Sequence, residues 1–357
     1  LRDLQVWYLL TWTGDPVRRR EEVAELFRKG KRFTEEEKRS LFQICHETVR
    51  QVLPLYKELR EKCGVELSTT PYYHPILPLI IDCEVARESR GNAPLEGISF
   101  RFPQDARWHV EEAIRSHEAH FGAPPRGMWP AEGSVSDATL ELLSSCGMKW
   151  AATDEAVLAR SLGRFPLSEE ERHQPYTFGE NGALVFFRDR ELSDRIGFVY
   201  SGWNPKQAAD DVVERLLQIR GRLGRKASTA CVSIILDGEN PWEYYPDSGV
   251  GFLTNLYRRL VSTPGLEPVR MGDLTPKDKR GSARLDHVVP GSWIDANFDT
   301  WIGAPEKNRA WIFLSTARHK LAMSAPQEKV PREFYRAEGS DWFWWLGPGH
   351  DTPYEAS

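Results

Sequence analysis

The sequence predicts an α/β fold in which helices and strands alternate along most of the chain, followed by a helical segment. Three observations lead to this prediction. Capped amphipathic helices recur along the 357 residues, short β-branched or apolar runs separate them, and from about Asn308 only helical spacing remains. Strands that alternate with helices form a parallel sheet. Such a sheet either closes into a β/α barrel or stays open as a doubly wound sheet.

The first predicted element is a long helix. Thr34 and Glu37 form a capping box, and apolar residues then recur at helical spacing until Gly64. The β-branched run over residues 65–70 ends at Pro71, and this pattern predicts a strand that leads into a loop.

The elements that follow continue the alternation of helix and strand. A helix begins at Pro205, which Asn204 caps, and both residue types are typical of helix starts. The other predicted helices span about residues 105–121, 136–146, 309–323 and 328–345, and the predicted strands span residues 127–129, 149–153, 184–187 and 231–236.

The composition excludes several classes of protein. Hydrophobic residues make up 40% and charged residues 28% of the chain, which permits a buried core and argues against disorder. A net charge of −5 without a polybasic run argues against nucleic acid as a partner. No apolar run approaches the roughly 18 residues of a membrane helix, so no membrane partner is expected. The five cysteines form no CxxC pair, which favours a reducing, cytoplasmic location.

Two carboxylates follow predicted strand ends. Glu132 comes directly after the strand at residues 127–129, and Asp237 comes after the apolar strand at 231–236. The carboxyl ends of the strands form the catalytic face of a β/α barrel. A negative charge near a helix start is an ordinary structural alternative for Glu132, but it explains Asp237 and the nearby Glu239 less well. A pair of carboxylates is what acid-catalysed cleavage of an acetal requires.

Other features of the sequence bear on the chemistry. The 13 tryptophans include several in loop-like contexts, and flat aromatic rings suit the apolar faces of sugars. The sequence contains no GxSxG, P-loop or GxGxxG signature. His117 and His120 do not have the HExxH spacing of a zinc site, and we interpret them as part of a solvated helix face.

Several segments in order resemble glycoside hydrolase family 57. They span residues 66–79, 128–134, 153–155, 236–240 and 337–342. Residues 187–194, 240–246 and 292–303 resemble the α-amylase and amylopullulanase branch of that family. The resemblance implies an incomplete (β/α)7 barrel, TIM-like, with a helical domain after it. Under this reading residues 1–275 form the barrel, with a helical insertion at 20–63, and residues 276–357 form the helical domain.

The resemblance also implies an activity and a site. It implies hydrolysis of α-linked glucans, such as starch, glycogen, maltooligosaccharides and pullulan, with retention of configuration and without a cofactor or metal. Glu132 matches the nucleophile and Asp237 the general acid/base, with carboxyl groups about 5 to 5.5 Å apart. The residues that the resemblance places along the substrate are Glu66, His74, Trp129, Asp154, Arg188, Asp189, Asp194, Glu239, Trp242, Trp293, Asp341 and Trp342.

The chain departs from the family pattern at one point. A His-Gln-Pro motif is expected well before Glu66, and none is present there. His173, Gln174 and Pro175 spell the motif after Glu132, in what we interpret as a polar loop, so we take that match as a coincidence. The expectation is a fragment that lacks the first strand and the extreme C-terminus.

Three other functions remain open at this point. A 4-α-glucanotransferase or branching enzyme uses the same covalent intermediate, and a non-catalytic carbohydrate-binding protein uses the same cleft. A metal-dependent hydrolase rests on His74 and its neighbouring carboxylates alone. The oligomeric state and the choice between α-1,4 and α-1,6 bonds are left undetermined by the sequence.

Overall fold

A computed structural model describes residues 1–180, 182–238, 241–274, 283–324 and 330–347. The chain divides into two compact units. The first consists of Leu1–Val65, Leu192–Leu217 and Leu236–Pro268, and the second of Glu66–Glu191, Gln218–Ile235 and Val269–Ser357.

Helices account for most of the secondary structure. In chain order they are α1 (Arg2–Thr11), α2 (Asp15–Arg18), α3 (Glu21–Lys29), α4 (Glu35–Cys63), α5 (Leu77–Ile81), α6 (Val85–Ser89), α7 (Pro103–Phe121), α8 (Asp137–Ser145), α9 (Glu155–Leu162), α10 (Glu169–Arg172), α11 (Arg190–Asp194), α12 (Pro205–Leu223), α13 (Val250–Ser262), α14 (Pro305–Ser324), α15 (Arg332–Ala337) and α16 (Asp341–Trp344). The strands are β1 (Gly127–Met128), β2 (Trp150–Asp154), β3 (Tyr176–Phe178), β4 (Leu184–Arg188) and β5 (Ala283–Leu285). None of the helices in the described ranges combines the length and the apolar composition needed to cross a membrane.

The first unit contains the long predicted helix. The Thr34 side chain accepts a hydrogen bond from the Glu37 backbone, the Glu37 side chain accepts one from Thr34, and Gly64 ends α4 in a left-handed conformation. The capping box and both ends of this helix are therefore confirmed. The small core of this unit forms where α1 packs against the first half of α4, and it includes Val6, Leu10, Leu41 and Ile44.

The second unit contains the sheet, whose strand order is β1-β2-β4-β3-β5. β1, β2 and β4 are parallel, with Gly127 opposite Trp150 and Trp150 opposite Leu184. Single parallel bridges extend this series, from Thr69 to Met128 on one side and from Arg188 to Ser233 on the other. The parallel segments therefore follow one another across the sheet in chain order, which is the arrangement of a β/α barrel.

Two predicted strands are much shorter than expected. Residues 65–70 and 231–236 contribute only the bridges at Thr69 and Ser233. For Thr69 the reason lies in a neighbouring proline. The Thr69 N–H donates to Gly127 and its carbonyl accepts from Trp129, but the next donor in this register would be residue 71, a proline without an N–H to continue the ladder.

The sequence did not predict β3 and β5. β3 is antiparallel to the first half of β4, with Tyr176 opposite Val185, and it is parallel to β5. Ser233 pairs with Arg188, the last residue of β4. On this side of β4, β3 therefore pairs with the first half of the strand and Ser233 with its end. β5 comes from the range that was predicted to be purely helical, although the division of the chain at residue 275 stays a prediction.

The helical tail matches the prediction in its first part only. α14 spans the predicted helix at 309–323, but the second stretch is broken into α15 and α16 around Glu338, Gly339 and Ser340, and residues 328 and 329 lie outside the described ranges. The break has a steric cause, because a Cβ at Gly339 would lie 2.6 Å from the carbonyl oxygen of Tyr73. The chain approaches residue 73 closely at this point, which a continuous helix with larger side chains would prevent.

Candidate active site

The chain turns sharply after β1, and Glu132 lies at that turn. Its φ of 56° and ψ of 27° place it in the left-handed region, which is costly for a residue with a Cβ. Gly133 follows with a φ of 60°, and a Cβ there would lie 2.7 Å from the Trp129 ring. The Thr153 hydroxyl at the end of β2 donates to the Gly133 carbonyl at 2.6 Å. Neighbouring residues therefore hold a strained backbone in place, a feature that clusters at functional sites.

Trp293 contacts Glu132 through both its backbone and its side chain. Its N–H donates to the Glu132 carbonyl at 3.0 Å, and its indole Nε1–H donates to Glu132 Oε2 at 2.8 Å. Its ring also packs edge to face against Trp129, with the centroids 5.4 Å apart. All three side chains are half-buried. The Glu132 carboxylate is thus oriented by a donor on a long loop, and two aromatic faces lie beside it.

Arg188, the last residue of β4, lies beneath this group. Its guanidinium carbon is 5.3 Å from the centre of the Trp293 ring, and its Nε–H donates to the Ile235 carbonyl at 2.7 Å. Asp154, the last residue of β2, is fully buried and forms ion pairs with Arg188 at 3.4 Å and Arg190 at 2.7 Å. Asp154 offers no surface to a ligand in this structure, although the resemblance placed it along the substrate.

Asp189 lies next to this network and is also buried. The His173 Nε2 is 3.0 Å from Asp189 Oδ2, and only 1% of the His173 side chain is exposed. His173 does lie in the loop between α10 and β3, as expected, but its side chain is buried, which the polar local sequence did not indicate. His173 directly follows α10, and its ring turns inward to the carboxylate that follows β4.

Glu66 lies near the other edge of the sheet, where two donors occupy its carboxylate. The Trp150 indole donates to Oε1 at 2.9 Å, and the Gly272 N–H donates to Oε2 at 2.8 Å. Glu66 is half-buried. These contacts tie the Thr69 segment to β2 and to the chain near residue 272.

His74 joins the loop after residue 71 to the helical tail. Its Nδ1 is 2.9 Å from the Ser340 hydroxyl, and its carbonyl accepts from the Ser340 N–H at 3.0 Å. Ser340 directly precedes Asp341 and Trp342, which are both exposed at the start of α16. The predicted residues His74, Asp341 and Trp342 thus lie in one connected region, through a serine that sequence reasoning did not single out.

A buried cluster supports this region from below. Arg318 on α14 binds both carboxylate oxygens of Asp105 on α7, at 2.6 and 2.9 Å. Glu338, which follows α15, hydrogen-bonds to His109 on α7. Burial and the nearby Asp105 raise the pKa of Glu338 well above its usual range, and burial lowers the pKa of His109 to about 4. Burial thus favours the neutral form of both groups, and their hydrogen bond joins the tail to α7.

The remaining predicted residues belong to the first unit or lie outside the described ranges. Asp237 and Asp194 are half-buried there, and Trp242 packs within 5.3 Å of Tyr245 in an aromatic cluster. Glu239 lies outside the described residues. The assignments of Asp237 and Glu239 therefore stay predictions.

The residues that the structure describes include no group of three or more His, Cys, Asp or Glu side chains able to hold a metal. His117, which we interpreted as part of a solvated face, is in fact buried, and its Nδ1 lies 2.8 Å from the Ala123 carbonyl. His117 thus contacts the chain just after the end of α7, whereas His120 is exposed as expected.

Comparison with known proteins bears on the fold and the family. The family model described as Glycosyl hydrolase family 57 matches residues 2–273. A comparison with curated protein sequences finds no match.

Several solved structures share the fold. A GH57-type branching enzyme from Pyrococcus horikoshii has a TM-score of 0.66 at 17% identity, covering 96% of this chain and 70% of that one. A GH57 branching enzyme from Thermococcus kodakaraensis, solved with glucose, has a TM-score of 0.63 at 16% identity, covering 93% and 72%. An α-amylase from Thermotoga maritima has a TM-score of 0.63 at 14% identity, covering 99% and 76%. The predicted fold class, an incomplete TIM-like barrel followed by helices, is confirmed.

Proposed function

This chain belongs to glycosyl hydrolase family 57, and from that premise we propose that it is a retaining hydrolase of α-linked glucans such as starch, glycogen and maltooligosaccharides. One observation carries the proposal. Glu132 follows the end of a parallel strand in a strained turn, and an indole N–H holds its carboxylate at 2.8 Å. Parallel strands of this kind deliver catalytic side chains at their carboxyl ends.

The proposed reaction proceeds in two displacements. Glu132 attacks the anomeric carbon while Asp237 gives its proton to the glycosidic oxygen, so the C–O bond breaks and a glycosyl ester forms. Asp237 then takes a proton from water, the water oxygen attacks the same carbon, and the ester bond breaks. Two inversions at one carbon give net retention. The two carboxylates supply the nucleophile and the proton, so the reaction uses no cofactor.

Trp129 and Trp293 have a proposed role in binding. Both rings are half-buried beside Glu132, and aromatic faces pack well against the apolar faces of glucose units. His74, Asp341 and Trp342 are proposed to contact more distant sugars of the chain, because His74 is joined to the start of α16 through Ser340.

Replacement of Glu132 by Gln tests the nucleophile. Gln retains the size of Glu and an oxygen that accepts the Trp293 hydrogen bond, but it cannot form an ester. Turnover of maltooligosaccharides should fall by several orders of magnitude while glucan binding persists. Glu141→Gln, at an exposed position on α8, is the matched control and should retain turnover. Near-normal turnover in Glu132→Gln contradicts the proposal.

Transfer to a second sugar is the alternative outcome of the same chemistry. A sugar hydroxyl that lies against the Trp129 or Trp293 ring can replace water in the second displacement, which gives a 4-α-glucanotransferase or a branching enzyme. Product lengths from a single maltooligosaccharide distinguish the two activities, because only transfer makes products longer than the substrate. Pullulan as substrate tests cleavage of α-1,6 bonds. Binding of glucan without either product favours a non-catalytic carbohydrate-binding protein.

A further inference from the structure

We propose that Arg188 is a positioning residue for the nucleophile, acting on Glu132 through the ring of Trp293, rather than a residue that binds substrate. This inference rests on the proposed role of Glu132. Four side chains form a continuous series in the second unit, running from Asp154 through Arg188 and Trp293 to Glu132.

The position of Arg188 makes direct contact with a sugar unfavourable. Only 5% of the residue is exposed, and its guanidinium group is held by the Ile235 carbonyl and by the Asp154 carboxylate. Asp154 is itself fixed, because its Oδ1 also accepts from the Ala156 N–H at 2.9 Å at the start of α9. The cation therefore has a defined place below the Trp293 ring.

A cation against an indole ring has two effects on the ring's N–H. The attraction between the charge and the π-electrons fixes the ring's tilt, and partial desolvation strengthens this attraction. The charge also draws electron density from the ring, so the Nε1–H becomes a stronger donor to Glu132 Oε2 at 2.8 Å. A stronger donor keeps the carboxylate ionised and aimed at one point.

The charged residues next to Arg188 and Asp154 along the chain, Asp189, Arg190 and Glu155, are paired or buried. Arg190 shares the Asp154 carboxylate, and Asp189 contacts His173. The Glu155 carboxyl lies 3.4 Å from Arg172, and burial raises the pKa of Glu155. Arg188→Gln leaves each of these pairs in place and preserves a donor for the Ile235 carbonyl, but it removes the cation from the ring and its ion pair with Asp154.

The experiment uses α-maltosyl fluoride, because fluoride leaves with little need of a proton, and fluoride release in the first turnover reports attack by Glu132 separately from hydrolysis of the glycosyl ester. In Arg188→Gln, kcat should fall by about 100-fold, the size of effect that follows a small misplacement of a reacting group. KM should change little, and the acid limb of the pH profile should move to higher pH. Arg188→Lys, which retains a cation near the ring, should restore much of the loss.

A double-mutant cycle tests whether Arg188 acts through the ring. Trp293→Phe removes the N–H donor, so Arg188→Gln should add little further loss in that background. Asp154→Asn, which can still cap α9, is a second variant that loosens Arg188 and should shift the acid limb in the same direction. Arg190→Gln is the control. It removes an ion pair with Asp154 but leaves the Arg188 cation at the Trp293 ring.

Two results overturn the proposal. A rise in KM with kcat unchanged in Arg188→Gln means that Arg188 binds substrate. Equal losses from Arg188→Gln in the wild-type and Trp293→Phe backgrounds mean that Arg188 does not act through the ring. Both can occur while Glu132→Gln is inactive, so they leave the proposed function intact. Full turnover in Glu132→Gln contradicts the proposed function instead.

Discussion

His109 and Glu338 share a hydrogen bond inside the protein, with Nε2 2.8 Å from Oε2 and neither side chain exposed. The His109 Nδ1–H donates to the Tyr72 carbonyl, so Nε2 has no proton of its own in a neutral ring. With a neutral His109 ring, the proton in this hydrogen bond must come from the Glu338 carboxyl. This arrangement agrees with a raised pKa for Glu338 and a lowered pKa for His109, and it joins α7 to the tail that carries Ser340.

Glu338→Gln should change how stability depends on pH. Unfolded Glu338 loses its proton near its usual pKa of about 4.5, whereas the folded state retains it. Folding stability from this group is therefore lost as the pH rises above about 4.5. Gln has the same shape as the protonated acid and does not titrate. The free energy of unfolding of Glu338→Gln, relative to wild type, should be higher at about pH 8 than at about pH 5.

Urea unfolding at the two pH values checks this prediction, with Glu111→Gln at an exposed position on α7 as the control. His109 contributes the opposite slope, because its pKa falls to about 4 in the folded state and stability rises between that value and about 6.5. This slope should remain in Glu338→Gln. An unchanged difference between variant and wild type across pH means that folded Glu338 is ionised.

Gly133→Ala should be far more harmful than Gly163→Ala. Both glycines have nearly the same backbone, with φ of 60° and 62°, so both variants incur the left-handed cost of about 1 to 2 kcal/mol. A Cβ at Gly133 also meets the Trp129 ring at 2.7 Å, whereas nothing lies within 4 Å at Gly163. Gly133→Ala should therefore lower the free energy of unfolding by about 1 to 3 kcal/mol more than Gly163→Ala does, as measured by thermal unfolding. Its activity should also fall, because the Glu132 turn moves. Equal losses of stability and activity contradict the close packing of Trp129 on this turn.

Asp237→Asn tests the proposed proton donor by comparing two leaving groups. Cleavage of a maltooligosaccharide needs a proton on the leaving oxygen, so its rate should fall by about 100-fold to 10,000-fold. α-Maltosyl fluoride needs no such proton, and formation of the glycosyl ester from it should be nearly as fast as in wild type. Glu243→Gln, an exposed position in the same segment, is the control. An equal fall in the rate of ester formation from both substrates means that Asp237 does not donate the proton.

Much of the fold could be predicted from local sequence. The Thr34 capping box, the Asn204 cap and the apolar runs of β2 and β4 depend on contacts a few residues apart, and they lie where the sequence predicted them. β3 and β5 could not be predicted in this way. β5 depends on pairing with β3 about 100 positions away, and although β3 also pairs with the nearby β4, strands of three residues have little sequence pattern of their own.

The candidate site likewise has features that local sequence predicts and features that depend on distant contacts. Glu132 could be identified because a strand, a turn and a helix start surround it. Trp293, its hydrogen-bond donor, lies 161 positions further along the chain, and a tryptophan in a loop gives no indication of its partner. The burial of His173 was missed for a related reason, because its neighbours in sequence are polar, whereas its ring, directly after α10, turns inward to Asp189.

Rescue of Glu132→Gly by azide gives the most direct test of the nucleophile. Removal of the carboxylate leaves a small space beside the Trp293 N–H, and Gly adopts the left-handed backbone of residue 132 at little cost. Without added anion, turnover of α-maltosyl fluoride should fall by several orders of magnitude. Azide should then attack the anomeric carbon from the side where Glu132 stood, expel fluoride, and give a glycosyl azide of inverted, β configuration. Nuclear magnetic resonance of the product measures that configuration.

Asp237→Gly under the same conditions is the informative comparison. Azide there can only intercept an ester that has already formed, so its product should retain the α configuration. A β-azide from the Asp237 variant and an α-azide from the Glu132 variant would exchange the two proposed roles.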